Sequence, residues 1–250
     1  MPRRLRRGLL GGLRSLDLRR AEHRYGPDPS QVMTTWTPLS ARPPAGWPTL
    51  LLLHGGGWVT GSRRDFDSFA PSLALRGPVL CAAVGYRLAP AHRWPAQLDD
   101  VQAAAEALPQ LGADPDRVVA WGHSAGGQLA LMALTRTTLA GVVALGAPLD
   151  LPDQVRREPG LERVFSPEQL RGASPAAVLG PAGPPIRLVH GTWDQVCAFR
   201  AAQEFQAARP ARCTLDAVAG ANHGLQWPPV RGWDARQRAA RWALQVAVRV

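Results

Sequence analysis

Residues 117–134 read RVVAWGHSAGGQLALMAL. An apolar run, 118–122, passes without a spacer into Gly122-His123-Ser124-Ala125-Gly126, a G-x-S-x-G pattern, and from there into a helix-forming run, 127–134. A chain that turns this abruptly from strand to helix needs residues without bulk on both sides of the turn. Small neighbours let it close and lift the serine hydroxyl above the sheet. The helix that follows presents its positive end to any negative charge developing there. Five-letter motifs arise by chance, so the weight of this one comes from the strand before it and the helix after it. Ser124 is read as a nucleophile.

Working outward, short apolar runs alternate with helical patterns from residue 48 onward. The strands expected are 50–54, 79–86, 117–122, 141–145, 186–190 and, more weakly, 214–218. Between them, 96–108 carries apolar residues at 98, 101, 104, 105 and 108, the spacing of one helix face. Further helices are expected at 128–134, 199–208 and 234–248. Strands apolar on both faces fit a mostly parallel sheet covered by helices on each side, an α/β fold. Residues 20–38 suggest an antiparallel hairpin at one edge. The stretch 147–185 breaks the rhythm with Pro148, Pro152, Pro159, Pro167, Pro175, Pro181, Pro184 and Pro185, and is read as a lid or insertion. The expected organisation is an Arg-rich tail, 1–20, followed by one α/β domain, 21–250.

Three more strand ends carry chemistry. His54-Gly55-Gly56-Gly57-Trp58 ends the first core strand and brings bare backbone N–H groups to a bend, where they can hold an oxyanion; a plain glycine turn is the alternative. His190-Gly191-Thr192-Trp193-Asp194 ends the strand 186–190, at the same sheet edge as Ser124 if the strands are parallel. His223 lies in the Gly-flanked loop 219–224. The chain order Ser, Asp, His is one of those known for serine hydrolases. Asp150 and Asp153 also follow a strand and compete with Asp194 as the acid. Asp99 and Asp100 read as helix-flanking structural residues, and His92 and His123 as structural.

The net charge of +10 raises a nucleic-acid or membrane reading. All 29 basic residues are Arg, while isoleucine occurs only at Ile186 and asparagine only at Asn222, the bias of a GC-rich coding sequence. Residues 1–24 hold eight Arg against Asp17 and Glu22, so the basicity is largely terminal and forms no aromatic-interleaved stripe. Neither a nucleic-acid partner nor stable membrane insertion is expected. The apolar run 8–13 ends at Arg14 and is short for a secretory signal. Three cysteines, Cys81, Cys197 and Cys213, lack disulfide or zinc-ligand spacing. A reduced, cytoplasmic protein with no metal and no cofactor is expected.

The ordered set HGGGW (54–58), YRLAP (86–90), HRWPAQLDDV (92–101), GHSAGGQLAL (122–131), HGTWD (190–194) and GANHG (220–224) resembles the bacterial esterase and lipase branch of the α/β-hydrolases. The likeness is to hormone-sensitive-lipase-like esterases and kynurenine-formamidase-like hydrolases, over roughly residues 22–245. It implies the α/β-hydrolase fold, with Ser124 as nucleophile, Asp194 orienting the base His223, and the N–H groups of Gly56, Gly57 and Ala125 as oxyanion hole. His54 would then shape the glycine loop. Two departures stand out. Few residues precede the first core strand, which implies a small or reduced cap, and the acid is followed by QVCAF rather than the usual x-V-V-P.

The reaction class expected is carboxylic ester hydrolysis of a small substrate through an acyl-enzyme on Ser124. An arylformamidase acting on N-formylkynurenine-type amides is the alternative, and a non-catalytic hydrolase-fold binding protein is the rival from another class. Trp58, Trp193 and Trp227 each lie within four residues of a site element and are candidates for a flat apolar pocket, unless they pack as core. A homodimer stays open.

Overall fold

The computed structural model describes residues 18–225 and 229–249; most of the Arg-rich tail and Trp227 lie outside the described residues. The chain starts with a hairpin of β1 (Leu18–Arg24) and β2 (Val32–Pro38), paired antiparallel from Leu18↔Pro38 to Arg24↔Val32. β1 forms the sheet edge, and its Arg19, Arg20 and Arg24 keep that edge charged. Strand β3 (Trp47–Leu53) follows, then α1 (Phe69–Arg76), β4 (Leu80–Val84), α2 (Ala96–Ala107), β5 (Ala113–His123), α3 (Ala125–Ala133) and β6 (Gly141–Leu145). The chain continues with α4 (Leu151–Arg157), α5 (Pro175–Val178), β7 (Ile186–Gly191), α6 (Phe199–Ala207), β8 (Cys213–Val218) and α7 (Pro229–Arg249).

The eight strands form one sheet in the order β1-β2-β4-β3-β5-β6-β7-β8. β2 meets β4 antiparallel, and every pair from β4–β3 through β7–β8 is parallel. The apolar central strands explain this: β3, β4 and β6 are buried at every position, which only a sheet covered on both faces allows. Side chains alternate between faces. Leu51, Leu53, Ala82 and Val142 pack with α2 and α3 on one side. Leu50, Leu52, Cys81, Val119 and Val143 pack with Ala70 and Leu73 of α1 and the alanines of α7 on the other. Each leucine of β3 is 0% exposed, and burial of a side chain of that size contributes roughly 1.5–3 kcal/mol.

Several elements differ from expectation: α7 starts at Pro229 and β4 ends at Val84, and two further differences have a physical reason. Helix α1 was not anticipated: Pro71 interrupts its pattern, yet Ala70, Leu73 and Ala74 make a core-facing stripe. Strand β5 begins at Ala113, ahead of the apolar run, because Ala113 pairs with Trp47 before the register shifts between Trp47 and Thr49. The Pro-rich stretch contains α4 and α5 and sends Leu151, Leu161, Val164, Phe165 and Ala173 into the core shared with α2 and α3. Among the described residues no helix is long and apolar enough to cross a membrane.

Candidate active site

Because β3, β5, β7 and β8 run parallel, their C-terminal ends share one edge of the sheet, and that is where the expected site residues lie. Ser124 sits between β5 and α3 with φ 54 and ψ −124, a conformation unusual for a side-chain-bearing residue. The turn is held by Ser124 N–H donating to the Leu145 carbonyl at 2.8 Å and by Gly127 N–H donating to the Ser124 carbonyl at 2.8 Å. Its glycines are required by contact: a β-carbon on Gly122 would run into the Gly126 carbonyl, and one on Gly126 into that of Leu53.

His223 spans the site. Its Nε2 lies 3.0 Å from Ser124 Oγ, and its Nδ1 lies 2.8 Å from Asp194 Oδ2. The Asp194 side chain is 0% exposed and that of His223 is 20% exposed. A buried carboxylate needs donors. Asp194 Oδ1 accepts from the N–H groups of Val196 at 2.9 Å and Cys197 at 2.8 Å. Oδ2 accepts from His223 and faces His190 Nε2 at 3.2 Å. Burial pushes the Asp194 carboxyl up, but hydrogen bonds from His190 and His223, the His223 charge and the Cys197 N–H outweigh it, leaving the group well below the ordinary carboxylate range.

The glycine loop after β3 carries positive φ at Gly56 (108°) and Gly57 (58°). Among the described residues the N–H groups of Gly56, Gly57 and Ala125 donate to no acceptor of the chain. Ala125 opens α3, where first-turn N–H groups have no partner within the helix. His54 braces this loop. It is 2% exposed, its Nδ1 donates to the Gly55 carbonyl at 2.8 Å, and its ring stacks on Tyr86 at 4.0 Å. Burial pushes its basicity down despite the Gly55 contact. His123 donates from Nε2 to the His223 carbonyl at 3.0 Å, and burial, first among its causes, lowers its pKa also.

The rival acids are placed elsewhere. Asp150 caps α4, accepting from Asp153 N–H, and Asp153 pairs with Arg156 and Arg157. Asp99 pairs with Arg136. Buried Asp100 binds Arg87 at 2.7 Å and Gln31 at 2.6 Å, joining the loop after β4 to the hairpin; both are structural, and neither caps a helix. His92 lies 3.4 Å from Asp28.

Two of the candidate tryptophans stand in opposite environments. Trp58 is 2% exposed, with its Nε1–H donating to Gln128 Oε1 at 3.1 Å and its ring edge-on to Phe165 at 4.9 Å. It is a core residue, because a buried amide claims its one donor. Trp193 is 65% exposed and stands out in solvent beside Asp194. Two residues with no role assigned from the sequence lie against the Asp194–His223 pair. Gly146, at the end of β6, lies beneath the Asp194–His223 pair. His190 is the second imidazole on Asp194. Their signal was faint: a glycine after the apolar run GVVAL, and a strand-end histidine that reads like His54.

Cys81, Cys197 and Cys213 are free and buried. Burial raises each thiol, that of Cys213 to about 12. Among the described residues no group of three or more His, Cys, Asp or Glu could hold a metal ion.

Residues 50–174 match the family described by the alpha/beta hydrolase fold. The chain belongs to that family. This α/β-hydrolase is 32% identical to "Esterase LipC" of Mycobacterium tuberculosis over 83% of its own length and 61% of that protein. It is 38% identical to "Carboxylesterase NlhH" of the same species over 38% of its length and 31% of that protein. The α/β-hydrolase chain thus spans less than two thirds of the length of these relatives. Among solved structures, "Bacterial Heroin Esterase" superposes with a TM-score of 0.74 at 23% identity, covering 93% of this chain and 84% of that one. That likeness is one of fold.

Proposed function

We propose that the chain is a serine-dependent carboxylic ester hydrolase that cleaves small esters through an acyl-enzyme on Ser124. The observation that carries the reading is one imidazole, His223, within hydrogen-bond reach of both Ser124 Oγ, 3.0 Å, and the buried Asp194 carboxylate, 2.8 Å. The esterase and carboxylesterase names of two relatives support the same class.

The contacts are compatible with the following steps. Asp194 is an anion, so His223 Nδ1 carries the proton and Nε2 is left bare toward Ser124. As Ser124 Oγ attacks the ester carbonyl, its proton passes to His223 Nε2, and the imidazolium formed is held by Asp194. The carbonyl oxygen becomes an oxyanion facing N–H donors of Gly56, Gly57 and Ala125; one such donor is typically worth about 10²–10³ in rate. Collapse expels the alcohol with the proton returned by His223. Water then repeats the sequence on the acyl-enzyme, releasing the acid and Ser124.

The test is kcat/KM for a short-chain p-nitrophenyl ester and for N-formylkynurenine, each blanked by Ser124→Ala. Ester turnover that vanishes in the blank supports the reading. A preference of about a hundredfold for the formamide, about 2.7 kcal/mol of transition-state binding, replaces it with an arylformamidase. Turnover no faster than in buffer for wild type and Ser124→Ala on both substrates leaves the non-catalytic binding protein.

A further inference from the structure

His190 is 2% exposed, at the end of β7, four residues before Asp194. Its Nε2 lies 3.2 Å from Asp194 Oδ2 and 3.0 Å from the Cys197 carbonyl. Both are acceptors, so Nε2 must carry a proton whatever the charge of the ring; that one N–H is aimed at the Cys197 carbonyl and has Asp194 Oδ2 as its second, longer contact. Phe199 packs against the ring at a centroid distance of 5.9 Å. The contact is therefore held in a dry, packed corner, where water does not compete for the carboxylate.

We infer that His190 is a positioning residue for the triad acid, sharing its one Nε2–H between the Cys197 carbonyl and the carboxylate oxygen that receives His223 Nδ1–H, and that it thereby sets the lower pH limit of activity. The inference rests on the triad reading above. Its logic is a competition for one oxygen. Asp194 Oδ1 is already taken by the Val196 and Cys197 N–H groups, so the rest of the anion's hydrogen-bonding capacity lies on Oδ2. A donor there draws charge from the oxygen that would otherwise stabilise protonated His223, so His223 releases its proton at lower pH. The same donor fixes the carboxylate plane, and with it the aim of the His223 ring.

The other charged or titratable groups around this centre come from several elements. His123, at the end of β5, holds the His223 carbonyl; Arg236 of α7 donates to the Gly224 carbonyl. Ser124 faces Nε2, and Cys197 donates its N–H to Asp194. Glu158 and Arg157 act on Cys197 from α4 and the residue after it. Substitution at 190 removes none of these groups; leucine there frees the Cys197 carbonyl as well.

The experiment uses the full chain and the kcat/KM–pH profile on p-nitrophenyl acetate for wild type, His190→Leu and His190→Gln. Leucine keeps the bulk and removes the donor. Its acidic limb is expected to move up by about half a pH unit or more. Glutamine restores an N–H at similar reach and is expected to return the limb toward wild type. An acidic limb that stays or falls in His190→Leu, or a glutamine variant that tracks leucine, overturns the inference. A packing role alone would lower Tm and the active fraction without moving the limb. Where His190→Leu does not fold, ¹⁵N-histidine NMR of the wild type and Asp194→Asn decides: the Nε2–H tautomer with a proton resonance that moves when the carboxylate becomes an amide supports the inference, and a bare Nε2, or a resonance that stays put, overturns it. Should Ser124→Ala hydrolyse the ester as fast as wild type, the triad reading falls, whereas the NMR tautomer still reports on His190 alone.

Discussion

Gly146 lies directly under the His223 ring: a β-carbon built on it would stand 3.4 Å from Cε1, Nδ1 and Asp194 Oδ2 alike. β6 runs between β5 and β7, so its end must pass beneath the bridge from Ser124 to Asp194. Gly146 also has φ 52, which costs an L-residue about 1–2 kcal/mol. Gly146→Ala should lose stability by about that amount in urea unfolding and keep kcat within about tenfold, because one methyl just fits. Gly146→Val should lower kcat by about a hundredfold or more, since its γ-carbons enter the bridge and a shift of about 1 Å is worth that much. Full turnover in the valine variant would remove Gly146 from the site.

Ser124→Ala and His223→Ala should each lower kcat by about 10⁴-fold or more, and the double variant should be little worse than either. Residues linked as Ser124 Oγ and His223 Nε2 are, at 3.0 Å, act as one unit, so their effects do not add. Single-turnover and steady-state rates on one ester check this. Additive losses would mean that the two side chains work independently.

The parallel sheet and the strand-end residues were legible because they rest on short-range rules. Short apolar runs such as 50–53, alternating with helical patterns, read as covered strands, and Ser124, Asp194 and His223 each lie in a small-residue turn just after such a run. What escaped was set by packing between segments distant in sequence. Pro71 hid α1, whose stripe has meaning only against the sheet. Gly146 matters through residues 48 and 77 positions away, and a glycine after a strand is otherwise a turn. The tryptophans show the same limit. Distance along the chain gave Trp58 and Trp193 equal standing, yet one is 2% and the other 65% exposed, because only Trp58 meets a partner, Gln128, across the core.

That contrast is testable with one substitution made twice. Trp58→Phe removes the only donor to buried Gln128 Oε1, found at 3.1 Å among the described residues, and should destabilise by about 1–3 kcal/mol for the unsatisfied amide, with a further loss from missing volume. Trp193→Phe, on an exposed side chain, should change stability by no more than about 0.5 kcal/mol. Urea midpoints at constant m-value give both. Equal effects at the two positions would contradict the burial difference.

Asp194 fixes the acid side of stability as well as catalysis. Its folded carboxyl lies far below its ordinary value of 3.8. A group depressed on folding contributes stability that is fully present above the unfolded value and is lost as pH falls through the folded one. The gap in unfolding free energy between wild type and Asp194→Asn should therefore be flat from pH 7 to about 5 and should narrow below about pH 4, down to the lowest pH at which both fold. At neutral pH the same variant should lower kcat by about 10³–10⁴-fold, because an amide N–H turned toward Nδ1 reverses the tautomer that leaves Nε2 bare. A gap constant through the acid range would mean that Asp194 has no more proton affinity to lose on folding than a surface carboxylate, and that its four donors leave its charge unstabilised.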